Sequence, residues 1–354
     1  MNPVQAVGRM LIPNQRRHVD PEVANLLDQE ALRVVAVYEG QKLDVTTPMG
    51  HALEAFHFAG KHPHTQTKVD PTTQTVVLFG GQGCYQHYLS YYIDMYTRRG
   101  INVVTFNYTG VGRSDGETNP REVVDGGVAI VDHLERHFNV PLDKIALHGF
   151  SLGGGISAQV ALIKEGVHIV NDRSYAKLSI AAHQQIRSVL PAAGIARRII
   201  NSLAVVENMS HVAFKLTGWE LDTESAWSRI RGRKCVICHT HDPVIVYDAS
   251  LYKAIHGINQ ETTFMLLEDQ TADPHSRPLT NHEIDAVIQA IGFRNLLAQR
   301  IQDPVTLPSP INLHRKVTWL ERVKGAFDFL QQKVLAAFSY TMVFLRSVWH
   351  RPTI

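Results

Sequence analysis

In the stretch Gly149-Phe150-Ser151-Leu152-Gly153 a serine stands between two glycines, after the apolar run 144–147 and before a segment, 151–165, that carries no charge until Lys164. That placement predicts a sharp strand-to-helix turn with the serine at its apex in a strained backbone geometry. Side chains two positions before and after it would collide with neighbouring structure, and glycine removes both collisions. The hydroxyl then stands at the carboxyl edge of a sheet with a helix N-terminus beneath it, where negative charge developing on an attacked carbonyl is favoured. A serine hydroxyl is a weak nucleophile. It needs an imidazole within hydrogen-bond reach and a carboxylate to orient that imidazole.

Both are present in the chain order Ser, acid, His. The run 234–238 leads into His239-Thr240-His241-Asp242-Pro243, which puts Asp242 at a strand's carboxyl end. The run 262–267 leads into a loop containing Asp273-Pro274-His275, which puts His275 beside it. Asp242 also suits a turn or helix cap, and Asp248 is the alternate acid. For His275, one of 19 histidines, the alternate is His282. The oxyanion of an acyl-transfer intermediate needs two convergent backbone N–H donors, each worth about 3–4 kcal/mol. Leu152, directly after the serine, supplies one. Gln82 in Gly80-Gly81-Gln82-Gly83 is expected to supply the second, with Cys84 as alternate, although the same glycines would also serve a plain tight turn. The scheme requires no metal and no organic cofactor.

Elements that could hold these loops follow from the hydrophobic pattern. Continuous apolar runs at 75–79, 101–106, 144–147, 167–170, 234–238 and 262–267 mark strands buried on both faces. Helical spacing fills 85–99, 123–138, 151–165 and 283–299 between and after them. Parallel strands need helical crossovers, so the class is α/β: a mostly parallel central sheet with helices on both faces. Upstream, 20–31 reads as a short helix and 33–38, 42–46 and 51–58 as an antiparallel meander. The stretch 172–228 lies between strand ends and is expected to form a small lid or acyl pocket, with Ile199, Leu203, Val212, Phe214 and Trp219 as lining residues. This α/β body covers 1–300.

The motifs together resemble the α/β-hydrolase-fold serine esterases and lipases. The resemblance rests on FGGQG at the oxyanion loop, NYTGVGRSDG after the next strand, GFSLGG at the serine turn, and the HDPVIV and DPHS loops, spanning about 75–276. Two departures are visible: Gly80 stands where the family usually has histidine, and no glycine directly precedes His275. A fainter resemblance, in FGGQG and HGFSLGGG, is to hydrolase-like proteins of intracellular bacteria, including the SidB-like effector group. The resemblance implies ester hydrolysis through Ser151, His275 and Asp242 with a covalent acyl-enzyme. An acyltransferase or thioesterase would use the same residues, and a non-catalytic binding module could use the same fold.

Composition narrows the partners. Of 354 residues 44% are hydrophobic, and 35 Lys and Arg against 33 Asp and Glu leave a net charge of +2, too balanced for a general nucleic-acid binder. A small-molecule or lipid ester is the expected substrate. The three cysteines do not make a disulfide framework. Cys235-Val236-Ile237-Cys238-His239, with His241 nearby, matches haem-attachment and zinc patterns, but both cysteines lie in a run that fits a core strand, where a thiol is a small hydrophobe. Prolines 304, 308 and 310 mark 301–312 as a linker. Beyond it, 313–354 holds seven Lys or Arg and two acids on a helical repeat of apolar and aromatic residues, a basic amphipathic helix that either packs on the body or another subunit or adsorbs to an anionic membrane. With no signal-like leader and no apolar run near 20 residues, a cytoplasmic location is expected, peripheral to membrane if the tail adsorbs. An effector of this kind would enter a host cell without a cleaved signal peptide.

Overall fold

The computed structural model describes residues 3–13, 15–16, 19–189, 212, 214–258 and 261–297. They fall within the unit Met1–Ile301; the unit Gln302–Ile354, with the expected linker and basic helix, lies outside the described residues, as do Ile199 and Leu203.

Eight strands form one sheet: β1 (Gln41–Thr46), β2 (Ala52–Phe58), β3 (Thr75–Phe79), β4 (Asn102–Phe106), β5 (Ile145–Phe150), β6 (His168–Asp172), β7 (Lys234–His239) and β8 (Thr262–Leu267). Their order is β1-β2-β4-β3-β5-β6-β7-β8. β1 and β2 pair antiparallel, as do β2 and β4. Every pairing from β4 through β8 is parallel, as the unalternating apolar runs predict. Successive residues of each buried strand feed two different cores. Val77, Phe79, Val104, Leu147, Ile169, Val236 and Cys238 join one; Val76, Leu78, Val103, Ala146, Val170, Cys235 and Ile237 join the other. Cys235 and Cys238 therefore face opposite sides of the sheet and cannot share a ligand. Burial pushes their thiols up to about 12 and about 11, which leaves both inert.

The helices are α1 (Pro3–Leu11), α2 (Pro21–Val37), α3 (Ser90–Thr97), α4 (Pro120–His137), α5 (Leu152–Ile163) and α6 (Leu178–Val189), followed by shorter ones at Thr223–Trp227 and Leu251–Ile255 and a last at Asn281–Ala290. α2 corrects the expected strand at 33–38. Asp20 caps it by accepting the N–H groups of Glu22 and Val23, Pro21 opens it, and no breaker intervenes before Glu39-Gly40. A helix already nucleated extends through the β-branched residues, whose intrinsic penalty is only a few tenths of a kcal/mol each. The amino-terminal strands are thus one hairpin, β1–β2, without a third piece, joined antiparallel to the sheet through β2 and β4. The last helix ends at Ala290 instead of running to 299, because Gly292 takes a positive φ of 71°. Among the described residues no helix is long and apolar enough to cross a membrane.

His57 in β2 is buried, stacks on Phe138 at 5.2 Å, and has no hydrogen-bond partner at Nε2 among the described residues. Burial, with a smaller contribution from Lys68, pushes its imidazole down to about 4. The folded state keeps this ring neutral while the unfolded chain protonates it below its ordinary value near 6.5. Its contribution to stability is therefore complete above pH 6.5 and lost as the pH falls toward 4. Lowering the pH from 7 to 5 should cost about 2 kcal/mol through this residue. Urea midpoints of wild type and His57→Phe, compared at the two pH values, measure it: the variant should lose less on acidification, and equal losses would contradict the assignment.

Candidate active site

The turn from β5 to α5 has the geometry its glycines foretell. Ser151 sits at φ 53° and ψ −120°, a strained position for a residue with a side chain. A Cβ on Gly149 would lie 2.3 Å from Ser157 Oγ, and one on Gly153 would lie 2.2 Å from the Phe79 carbonyl oxygen. Glycine at these two positions lets α5 approach the strands closely enough for the turn to close. The Ser151 N–H donates to the Asp172 carbonyl of the adjacent strand end at 3.0 Å. Leu152 is the first residue of α5, so its N–H is one of those a helix leaves without an internal acceptor.

Two loops bring the other side chains to Ser151. Asp242 follows β7 in a turn that its own carboxylate ties: Oδ1 accepts the N–H groups of Val244 at 2.8 Å and Ile245 at 3.0 Å. Oδ2 lies 2.7 Å from His275 Nδ1, and His275 Nε2 lies 3.0 Å from Ser151 Oγ. A carboxylate can only accept, so Nδ1 carries the proton and Nε2 presents its lone pair to the hydroxyl. All three residues are buried. The ring of Phe150 lies 5.0 Å from that of His275 and lines its face. The alternates stand apart from this group: Asp248 is exposed in a 3-10 turn and His282 is exposed in the first turn of the last helix.

The loop after β3 lies directly on the serine. A Cβ at Gly81 would stand 3.2 Å from Ser151 Cβ and 3.2 Å from the Phe150 ring, so a side chain there would have to push the serine turn back by a few tenths of an ångström. The Cys84 N–H closes a turn on the Gly81 carbonyl at 3.2 Å, with Gly83 at φ 67°. Gln82 is exposed at the tip of this turn, and Cys84, half-buried, turns its thiol to its neighbour's carbonyl. The segment after β4 braces the loop: Tyr108 Oη donates to the Gly80 carbonyl at 2.8 Å, and Asn107 Oδ1 accepts the Gln86 N–H at 2.8 Å. Asn107 is itself held by Glu54, whose Oε2 accepts its amide at 2.7 Å.

Of the residues expected to line a pocket, Phe214 and Trp219 are buried and Val212 is exposed. Trp219 donates its indole N–H to the Val4 carbonyl of α1. The amino-terminal segment thus borders the site. Pro13 reaches to 4.0 Å from where a Gly83 Cβ would be, and Gln15 bridges to Val111. Sequence patterning passed over α1, although its Val4, Val7 and Leu11 follow helical spacing and pack on the core.

A family model described as Chlamydia CHLPS protein (DUF818) matches residues 79–257, just over half of the chain, from the end of β3 past the Ser151 turn and Asp242. The chain belongs to that family. Among solved structures, this DUF818 member is similar to an α/β hydrolase from Vibrio vulnificus, with a TM-score of 0.59 and 16% identity over 82% of this chain and 94% of the other. It is also similar to the Pyrococcus furiosus esterase Pf2001, with a TM-score of 0.52 and 16% identity over 72% and 91%. Such identities speak for the fold, which is the α/β-hydrolase fold. The multifunctional-autoprocessing repeats-in-toxin of Vibrio cholerae serotype O1 is 25% identical over 147 residues, 41% of this chain and 3% of the toxin. The chain thus matches a small fraction of that relative's length.

Behind the serine turn of this DUF818 chain lies a charged group that sequence patterning missed. Asp172, which ends β6, and Arg173, which follows it, are both buried. Arg173 Nε donates to Asp172 Oδ1 at 2.7 Å and Nη2 to Oδ2 at 3.1 Å. Oδ2 also accepts from Tyr92 Oη at 2.6 Å and from His148 Nε2 at 3.2 Å, and Tyr96 Oη supplies the proton to His148 Nδ1 at 2.8 Å. Burial alone would raise the Asp172 carboxyl, but the Arg173 guanidinium, aided by His148, outweighs it and holds the group well below the usual carboxylate range. The available signal was the sequence Asn171-Asp172-Arg173 at the end of an apolar run, a charge pair where a sheet edge was expected.

Proposed function

We propose that this chain is a serine hydrolase that cleaves carboxylic esters through a covalent acyl-enzyme. The observation that carries the reading is the hydrogen-bonded series Ser151–His275–Asp242 on a strained strand-to-helix turn. In this reading Ser151 Oγ attacks the ester carbonyl carbon while its proton passes to His275 Nε2. Asp242 holds the productive tautomer and stabilises the imidazolium. The carbonyl oxygen, now negative, accepts from the N–H groups of Leu152 and Gln82, with the amino end of α5 adding its favourable field. Collapse expels the alcohol, which takes the proton from His275. Water then enters, His275 removes its proton, and the carboxylic acid leaves as Ser151 is regenerated. The name of the Pyrococcus neighbour, an esterase, supports the substrate class.

p-Nitrophenyl esters of increasing acyl length test the reading. Release of p-nitrophenolate with an initial burst of about one equivalent per chain is the fingerprint of acyl-enzyme accumulation. Absence of ester cleavage at every length would overturn the reading. Turnover that rises on adding a soluble alcohol acceptor would move it from hydrolysis to acyl transfer.

A further inference from the structure

His275 lies between β8 and the helix Asn281–Ala290, in a loop whose internal ties are few. The Arg277 N–H donates to the Asp273 carbonyl and the Ser276 N–H to Asp273 Oδ1. The loop is held mainly by side chains. From the outer side, Arg277 pairs with Asp269 at 2.8 Å and with Glu283 at 2.6 Å. From within, Arg173 Nη1 donates to the Arg277 carbonyl at 2.6 Å and to the Pro274 carbonyl at 3.4 Å, gripping the loop on either side of His275. The guanidinium also lies 5.2 Å from the centre of the Phe150 ring, which in turn faces the His275 imidazole.

The same two residues reach the other members of the site through their main chain. The Asp172 carbonyl accepts the Ser151 N–H, and the Arg173 N–H donates to the Ile237 carbonyl of β7, the strand that leads to Asp242. Arg173 makes these contacts from a positive φ of 48°. Three costs coincide here: a strained backbone, a fully buried cation and a fully buried anion. An apolar pair of similar volume is often as stable as a buried ion pair, so stability alone gives no reason for charges at this place. What the charges add is direction. Asp172 occupies Nε and one Nη2 proton, which fixes the guanidinium plane and turns Nη1 toward the two carbonyls.

We propose that Arg173, locked by Asp172, Tyr92 and His148, is a positioning residue that clamps the His275 loop to the Ser151 turn. The inference rests on the serine-hydrolase reading of the site. Displacing a catalytic group by about 1 Å can cost about 100-fold in rate, so the clamp acts on kcat.

Two variants test it in the full chain. Arg173→Lys keeps a cation opposite Asp172 but cannot span both carbonyls. The double variant Asp172→Asn, Arg173→Met removes both charges and leaves neither unpaired. Each is measured with a p-nitrophenyl ester, per folded molecule as read by circular dichroism at the assay temperature, and by hydrogen exchange of residues 269–277. The expected result is a fall in kcat of about 10- to 100-fold with KM within about threefold of wild type, and faster exchange in the loop. Unchanged kcat per folded molecule, a loss confined to KM, or unchanged exchange in 269–277 overturns the proposal. Wild type that cleaves no ester defeats the hydrolase reading instead, and the exchange measurement still decides whether Arg173 holds the loop.

Discussion

On the proposed mechanism, Ser151→Ala is expected to lower kcat on carboxylic esters by about 10⁴- to 10⁶-fold, a loss of roughly 5.5–8 kcal/mol of transition-state stabilisation. The variant removes the atom proposed to bond to the substrate and leaves the backbone contacts of the turn in place. Its melting temperature is expected to stay within a few degrees of wild type, because among the described residues the side-chain tie lost is the 3.0 Å contact to His275. Ser151→Gly is equally inactive but melts higher. Glycine meets no steric penalty at φ 53°, and relieving such strain is worth about 1–3 kcal/mol. Steady-state kinetics beside thermal melts of the three proteins separate the two effects. A fold that collapses with either variant, or activity within tenfold of wild type, would contradict the role given to the hydroxyl.

Asp242→Asn keeps the shape of the site and reverses one proton. The asparagine Oδ1 can still accept from the Val244 and Ile245 N–H groups, so the turn after β7 survives. Its NH₂ group then faces His275 Nδ1, which must become an acceptor and move its proton to Nε2. An Nε2–H opposite Ser151 cannot take the hydroxyl proton. The exchange should cost about 10⁴-fold in kcat with little change in KM, the magnitude known for a mispaired tautomer in a Ser-His-Asp system. Activity within tenfold of wild type would show that Asp242 does not set the tautomer.

Much of the sheet was legible because its chemistry is uniform. A strand buried on both faces, such as Thr75–Phe79, must be apolar throughout, and it was visible as an unbroken run. The Ser151 turn was legible for a different reason: Gly149 and Gly153 are both needed where a Cβ would strike Ser157 Oγ or the Phe79 carbonyl. Asp242 and His275 could be picked from many acids and histidines only because each follows a strand whose neighbours are fixed by the parallel order. What failed to show was local propensity overruled by context, and charge where apolar residues were expected. The run 33–37 looks extended until the cap at Asp20 and the absence of a breaker are weighed. β6 continues two residues past its apolar run because Asp172 is neutralised in place by Arg173, a pairing no one-dimensional pattern displays. The brace from Tyr108 to the Gly80 carbonyl is likewise invisible in sequence, though it explains why a tyrosine begins the segment after Asn107.

On the proposed mechanism, the Ser151 hydroxyl is made nucleophilic by its buried imidazole and carboxylate partners. Incubation of the native chain with a fluorophosphonate, followed by mass spectrometry of its peptides, tests this most directly. One phosphonate per chain is expected, carried on Ser151, formed by wild type and absent from the heat-unfolded protein. A native chain that stays unmodified, or one modified at another residue with Ser151 untouched, would contradict it.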